Sequence, residues 1–178
     1  MAGSKKICPH LHIPLQAGAD KILKLMNRPY DTKFYKNKVK QIRRAIPDIA
    51  ITADVIVGFP GETEKYFRET QKFIKQIKFS RLHVFPFSAH EKTPAAKFSG
   101  QVEEKVKARR AKILRRLSVK LAEDYRKKFR GREVELAVEQ IKEDKIIGKS
   151  EYYFDVEIAG KKTKPLKAKI GELIKIKY

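Results

Sequence analysis

Cys8, His10 and His12 stand at alternate positions in "CPHLHIPLQAGAD", Cys8 to Asp20. On an extended chain they share one face, with Pro9 and Leu11 on the other. Soft ligands in a row suggest a metal, but ligands two apart on a strand are splayed by about 7 Å, roughly the width of a zinc shell. No CxxC or HxxxH pair occurs elsewhere to complete a tetrahedral site. The other reading is polar residues lining a barrel interior or a pocket edge, and no metal ligand is assigned.

A second stretch with chemical potential is "GFPGET", Gly58 to Thr63, after an apolar strand and before a helix. A Gly-rich turn there lets a ligand approach the backbone, and the helix N-terminus favours anionic groups. The closing Gly-Lys-Ser/Thr of a P-loop is missing.

The elements that position these residues follow from periodicity. Three short apolar runs, "HLHIPLQ", "IAITADVIVGF" and "RLHVFPF", each precede a helix-like segment: Asp20–Met26 with Thr32–Ile46, Glu64–Ile77, and a long segment from Val102. Tyr35, Val39, Ile42 and Ile46 recur at helical spacing, as do Phe67, Thr70, Ile74 and Ile77. Alternating strand and helix implies parallel strands with right-handed crossovers. Three such units do not close a barrel, so the sheet is expected to continue in residues outside this sequence. Gln101–Phe129 lacks Gly and Pro and reads as one amphipathic helix with a basic face, "RRAKILRR", ended by Gly131. Beyond it the period changes to two, predicting four or five antiparallel strands in a small barrel of the oligonucleotide-binding type.

Lys and Arg number 42 against 21 Asp and Glu in 178 residues, a net charge of +21. The excess is clustered: 12 basic against 4 acidic residues from Gln101 to Arg130, and 7 against 1 from Lys161 to Tyr178. Such clustering favours a polyanion-binding face, with nucleic acid the leading partner. The RNA-binding candidates are Arg109, Arg110, Arg115 and Arg116 on the helix, and Lys161, Lys162, Lys164, Lys167 and Lys169 near the C-terminus. Tyr153 joins them as the exposed member of "YYF", suited to base stacking. A single cysteine excludes an intramolecular disulfide and makes a reducing, cytoplasmic setting the default. No run approaches the roughly 18 apolar residues that span a bilayer, and "MAGSKK" is not followed by the apolar core of a secretory signal.

Taken in order, "HLHIPLQ", "DKILKLMNRPY", "TADVIVGFPGET" and "RLHVFPFSAHEKTPAA", then a long helix and a small β module, resemble the methylthiotransferases of the radical S-adenosylmethionine (SAM) superfamily. The resemblance runs from about Ile7 to the C-terminus, and "CPHLHIPLQ" is most similar to the bacterial tRNA threonylcarbamoyladenosine branch. It implies an α/β fold: the C-terminal half of a radical SAM partial TIM barrel (1–100, the last three of six strands), a long basic helix (101–130) and a TRAM-like, oligonucleotide-binding-type RNA-binding barrel (131–178). The full-length family carries two [4Fe-4S] clusters, one in an N-terminal domain and one on a CxxxCxxC loop. SAM is cleaved there to a radical, and a methylthio group is installed on the tRNA base next to the anticodon.

The sequence departs from that pattern in lacking CxxxCxxC and the N-terminal domain. Cluster ligation needs several thiolates, so the expectation is a C-terminal part, inactive alone, whose N-terminal half is absent or is a separate chain. The cofactor-binding positions implied by the resemblance are Gln16, Arg28, Ile56, Gly58 and Phe85. Arg28 either meets the SAM carboxylate or is a solvated helix-end cation; Phe85 lies where backbone groups meet adenine, its ring packing in the barrel. Asp54, costly to bury alone, lines the pocket or makes a structural hydrogen bond. The alternatives are a non-catalytic RNA-binding fragment, or the isopentenyladenosine or ribosomal-protein branch.

Overall fold

The computed structural model describes residues 6–90, 93–142, 145–159 and 168–178. The first sheet is parallel, in the order β1 (His10–His12), β2 (Ala50–Val57), β3 (Arg81–Pro86). Helices α1 (Asp20–Leu25) and α2 (Thr32–Ala45) connect β1 to β2, and α3 (Glu64–Ile77) connects β2 to β3. The ladder of β1 is shorter than the apolar run "HLHIPLQ" because Pro14 has no N–H to donate. The Ile13 amide still donates to Thr52 O, both Leu15 and Gln16 amides donate to Asp54 O, and Gln16 takes a left-handed φ of 66°.

Side-chain alternation fixes what each face does. Ile51, Ala53, Val55 and Val57 are fully buried beneath the helices, whereas Asp54 and Ile56, on the inner face, are half-buried. The amphipathic periods of α2 and α3 point Tyr35, Val39, Phe67, Ile74 and Ile77 into this core. Asp31 caps α2 through the Phe34 amide at 2.7 Å, and Thr63 caps α3 through Tyr66 N at 3.4 Å.

Helix α4 (Glu104–Arg126) starts after Glu103 and ends in a 3-10 turn, Lys127–Phe129, so the regular helix is shorter at both ends than its breaker-free stretch. It closes the outer edge of β3. Ser118 Oγ accepts from Leu82 N at 2.9 Å and donates to Leu82 O at 3.3 Å, and Arg115 donates to Val84 O at 3.2 Å. Side chains thereby replace the missing neighbouring strand. No strand among the described residues pairs with the other edge of β1.

The second sheet is antiparallel, in the order β6 (Asp155–Ala159), β5 (Lys145–Ser150), β4 (Glu133–Lys142), β7 (Leu173–Lys177), with a bulge between Val138 and Gln140. Helix α4 joins the two cores: Ala111, Leu114 and Leu121 pack on the parallel sheet, while Tyr125 and Phe129 pack with Val134, Leu136 and Phe154. Asp48, at the entrance to β2, ties the halves together by accepting from Arg132 at 3.0 Å and, through its carbonyl, from the Tyr125 hydroxyl at 2.7 Å. No helix among the described residues is long and apolar enough to cross a membrane.

Candidate functional site

Period-two alternation brings His10, His12, Thr52, Asp54 and His83 onto the inner face of the parallel sheet. Thr52 Oγ lies 3.0 Å from both His10 Nε2 and His12 Nδ1, and His12 Nε2 lies 3.3 Å from Asp54 Oδ2. A carboxylate only accepts, so His12 carries its proton on Nε2. With neutral rings, Nδ1 then accepts from the Thr52 hydroxyl, which in turn accepts from His10 Nε2–H. The row is thus a directed chain, His10 to Thr52 to His12 to Asp54, in which both ring nitrogens of His12 are committed. Cys8, the third member of the sequence row, is exposed, and no group of metal-ligating side chains occurs among the described residues.

His10 also meets the second sheet. The Tyr153 ring stacks on it at 3.7 Å and 4°, and Lys149 Nζ lies 5.0 Å from the Tyr153 centroid. Burial lowers the pKa of His10 below the ordinary 6.5, helped by the charges of His12, His83 and Lys149. The fold therefore favours neutral His10: this contribution to stability is complete above pH 6.5 and is lost as pH falls through the lowered value. Urea midpoints followed from pH 8 to pH 5 should fall less steeply for His10→Gln than for the natural chain; parallel curves would remove His10 from the linkage.

At the carboxyl ends of the strands, Ile56 and Phe85 form a second row, and Gln16, which bridges Val55, comes in beside it. The Ile56 amide donates to Gln16 O at 2.8 Å, and Ile56 pairs in register with Phe85, which is 50% exposed. Ligands of parallel α/β sheets bind at this end. Gly58 lies beyond the row but is not open to a ligand in the way the Gly-rich turn suggests. It is buried at φ 74°, and a Cβ there would stand 2.3 Å from Lys107 Cγ, so the close approach is made by a lysine stem from α4. Arg28 is exposed beyond α1 and joins no row; its charge is felt by Tyr30, whose hydroxyl donates to the Pro14 carbonyl at 3.2 Å.

The turn is held by a residue that sequence reasoning passed over. Glu62, 4% exposed, accepts from Gly58 N at 2.9 Å and from Arg110 Nη1 at 2.7 Å, and Arg110 also donates to the Glu62 carbonyl at 2.9 Å. Burial pushes the Glu62 carboxyl upward against the opposing pull of the Gly58 amide and Arg110. The available signal was an acid closing a Gly-x-x-x-Glu turn in an otherwise apolar context; its partner lies 48 residues on.

Arg110 therefore leaves the set of RNA-facing residues, being 4% exposed and spent on Glu62. The other helix arginines diverge. Arg109 pairs with Glu64 at 2.8 Å, holding that carboxyl below its usual range; Arg115 caps the β3 edge; Arg116 lines a groove against α3. Tyr153 is 39% exposed, but its ring is stacked on His10, so it is not a free platform for a base. Its exposure comes from a turn with φ 62°, not from strand alternation. Lys169 is exposed, while Lys161, Lys162, Lys164 and Lys167 lie outside the described residues.

The side chains present discriminate between the groups that the resemblance implies. Iron–sulfur clusters do not fit: one exposed cysteine cannot supply their thiolates. The residues at the carboxyl ends, half-buried Gln16 and Ile56 with the exposed Phe85, offer one side-chain amide beside apolar surface, a donor set compatible with SAM.

A parallel sheet flanked by helices, joined by an edge-covering helix to an antiparallel sheet, defines a mixed α/β protein with an appended β module. The radical SAM superfamily profile matches residues 1–74. Across 98% of this chain, the threonylcarbamoyladenosine tRNA methylthiotransferase MtaB of Bacillus subtilis is 41% identical, and the chain spans 39% of that relative. The tRNA-2-methylthio-N(6)-dimethylallyladenosine synthase of Acetivibrio thermocellus is 43% identical over 79% of the chain and 29% of the relative; that of Carboxydothermus hydrogenoformans is 38% identical over 99% and 40%. The chain belongs to the radical SAM methylthiotransferase family.

Proposed function

We propose that the chain forms the SAM-pocket and RNA-binding part of a tRNA methylthiotransferase that acts on threonylcarbamoyladenosine next to the anticodon. The observation that carries this reading is the asymmetry of the parallel sheet: α4 seals the edge of β3, while among the described residues no strand pairs with the outer edge of β1, and the inner face carries polar and apolar residues. A sheet finished on one side and open on the other is what the last three of six barrel strands would present. The threonylcarbamoyl branch is supported by the similarity to the Bacillus relative over nearly the whole chain. The missing strands, an N-terminal half and the clusters would come from polypeptide that this chain does not contain.

Gln16 would orient the SAM ribose and methionine portion through its amide, and Ile56 and Phe85 would wall the adenine. When bound beside a cluster, SAM supplies the radical chemistry of the family. His12, fixed by Thr52 and Asp54, would keep the floor beneath the cofactor rigid and polar. The antiparallel sheet, as a TRAM-like module, would grip tRNA through Lys169 and the lysines before it, in a cytoplasmic setting.

Calorimetric titration with SAM tests the pocket. The natural chain is expected to bind, and Gln16→Ala with Phe85→Ala to weaken binding by about tenfold or more, as loss of roughly 1.4 kcal/mol implies. Undiminished binding by the double variant would place the cofactor elsewhere.

A further inference from the structure

On the outer side of the molecule, away from the inner rows, the C-terminal half of α3 and the C-terminal half of α4 enclose a groove of about 700 Å³. Its floor is the apolar ridge of Ile113, Leu117, Leu121 and Tyr125, four residues apart along one line of α4. Ile113 and Leu117 are only half-buried although they pack on the core, so this ridge keeps an uncovered apolar face. Twelve residues of helix give it a length of about 18 Å, some three turns.

The rim is cationic. Lys75 and Lys78 stand on the α3 side and Arg116, Lys120 and Lys128 on the α4 side. None of the five belongs to an ion pair among the described residues, and the single carboxylate of the groove, Asp124, is paired with Lys127 at 3.1 Å. Burial, with smaller contributions from the charges of Arg43 and Lys78, lowers the pKa of Lys128 despite the opposing effect of Asp48.

We propose that this groove docks an acidic amphipathic helix of a partner polypeptide, with aliphatic side chains on the Ile113–Tyr125 ridge and carboxylates against the five rim cations. An apolar ridge with i, i+4 spacing between two flanks matches helix-in-groove recognition. Complementarity of charge selects the partner. A second copy of this chain, at +21, would be repelled. RNA would satisfy the cations but not the floor, which has no free ring to stack on: Tyr125 is 7% exposed, and its hydroxyl is bonded to the Asp48 carbonyl. The inference does not rest on the enzymatic reading.

Fluorescence anisotropy on the full chain tests it with a labelled 17-residue peptide carrying Leu at positions 3, 7, 10 and 14 and Glu on both flanks. Controls are a shuffled peptide of the same composition and a single-stranded 17-nucleotide RNA. The amphipathic peptide is expected to bind saturably, about tenfold tighter than the shuffled one. Leu117→Asp should lower its affinity about tenfold, and Lys75→Glu with Lys120→Glu, both on the surface, should do the same without lowering the melting temperature. Absence of binding, or equal binding of the shuffled peptide, overturns the proposal. So does an RNA affinity that falls in the Lys75→Glu, Lys120→Glu variant as far as that of the peptide, which would make the groove a nucleic-acid surface.

Discussion

Arg110→Met is expected to cost about 3–5 kcal/mol of folding stability, the usual effect of stranding a buried charge. The Glu62 carboxylate is 0% exposed, and among the described residues its only cationic contact is Arg110, 5% exposed, at 2.7 Å. Methionine restores much of the volume but none of the charge. Because the penalty is that of an ionised, unpaired acid, Glu62→Gln combined with Arg110→Met should recover more than half of the loss: the Gln side chain keeps an oxygen for the Gly58 amide. The sign of the pH dependence follows from the same cause. Without Arg110 the Glu62 pKa rises further above 4.5, so the deficit of the single variant grows as pH increases and shrinks toward acid. Urea unfolding at pH 5 and pH 8 reads both effects. A single variant within 1 kcal/mol of the natural chain, or a double variant no better than the single, would mean that the pair does not hold the turn.

The second large effect is on RNA affinity. Lys161, Lys162, Lys164, Lys167 and Lys169 give the C-terminal module about five candidate phosphate contacts, while Arg109, Arg110 and Arg115 on the helix are engaged with Glu64, Glu62 and the Val84 carbonyl. Releasing a counterion for each should make tRNA affinity fall by two to three decades, roughly, between 50 and 200 mM salt. Filter binding across that range checks the slope. Substituting all five lysines with Gln should flatten it, whereas Arg109→Gln and Arg115→Gln should change it little. A slope that ignores the five lysines would return the RNA surface to the helix.

The elements whose signal is local were legible in the sequence. The helical spacing of the apolar residues in α2 and α3 marked both helices, and the apolar run of β2 marked a central strand. The switch to period two after Gly131 marked the antiparallel sheet. What periodicity could not show is where a polar side chain goes once its apolar neighbours are placed. The arginines of "RRAKILRR" share a short sequence, yet Arg110 turns to an acid 48 residues away, Arg115 to a strand edge and Arg116 to a groove. Their arc on the helix wheel is wide, and partners distant in sequence divide it. Gly58 failed in the same manner: the turn was legible, but Lys107, the residue that fills it, comes from α4. Of the row Cys8, His10 and His12, the two histidines were legible as one face of a strand, whereas Cys8 precedes the strand in a turn closed by His10 N to its carbonyl, and the hydrogen-bond chain depends on Thr52 and Asp54 across the ladder.

The most direct test replaces the matched segment of the Bacillus subtilis relative with this chain and assays tRNA nucleosides by mass spectrometry in cells lacking the relative's own gene. The account predicts methylthiolated threonylcarbamoyladenosine, lost again when Gln16→Ala and Phe85→Ala are introduced together. A chimera that folds and loads its clusters but leaves threonylcarbamoyladenosine unmodified would contradict it.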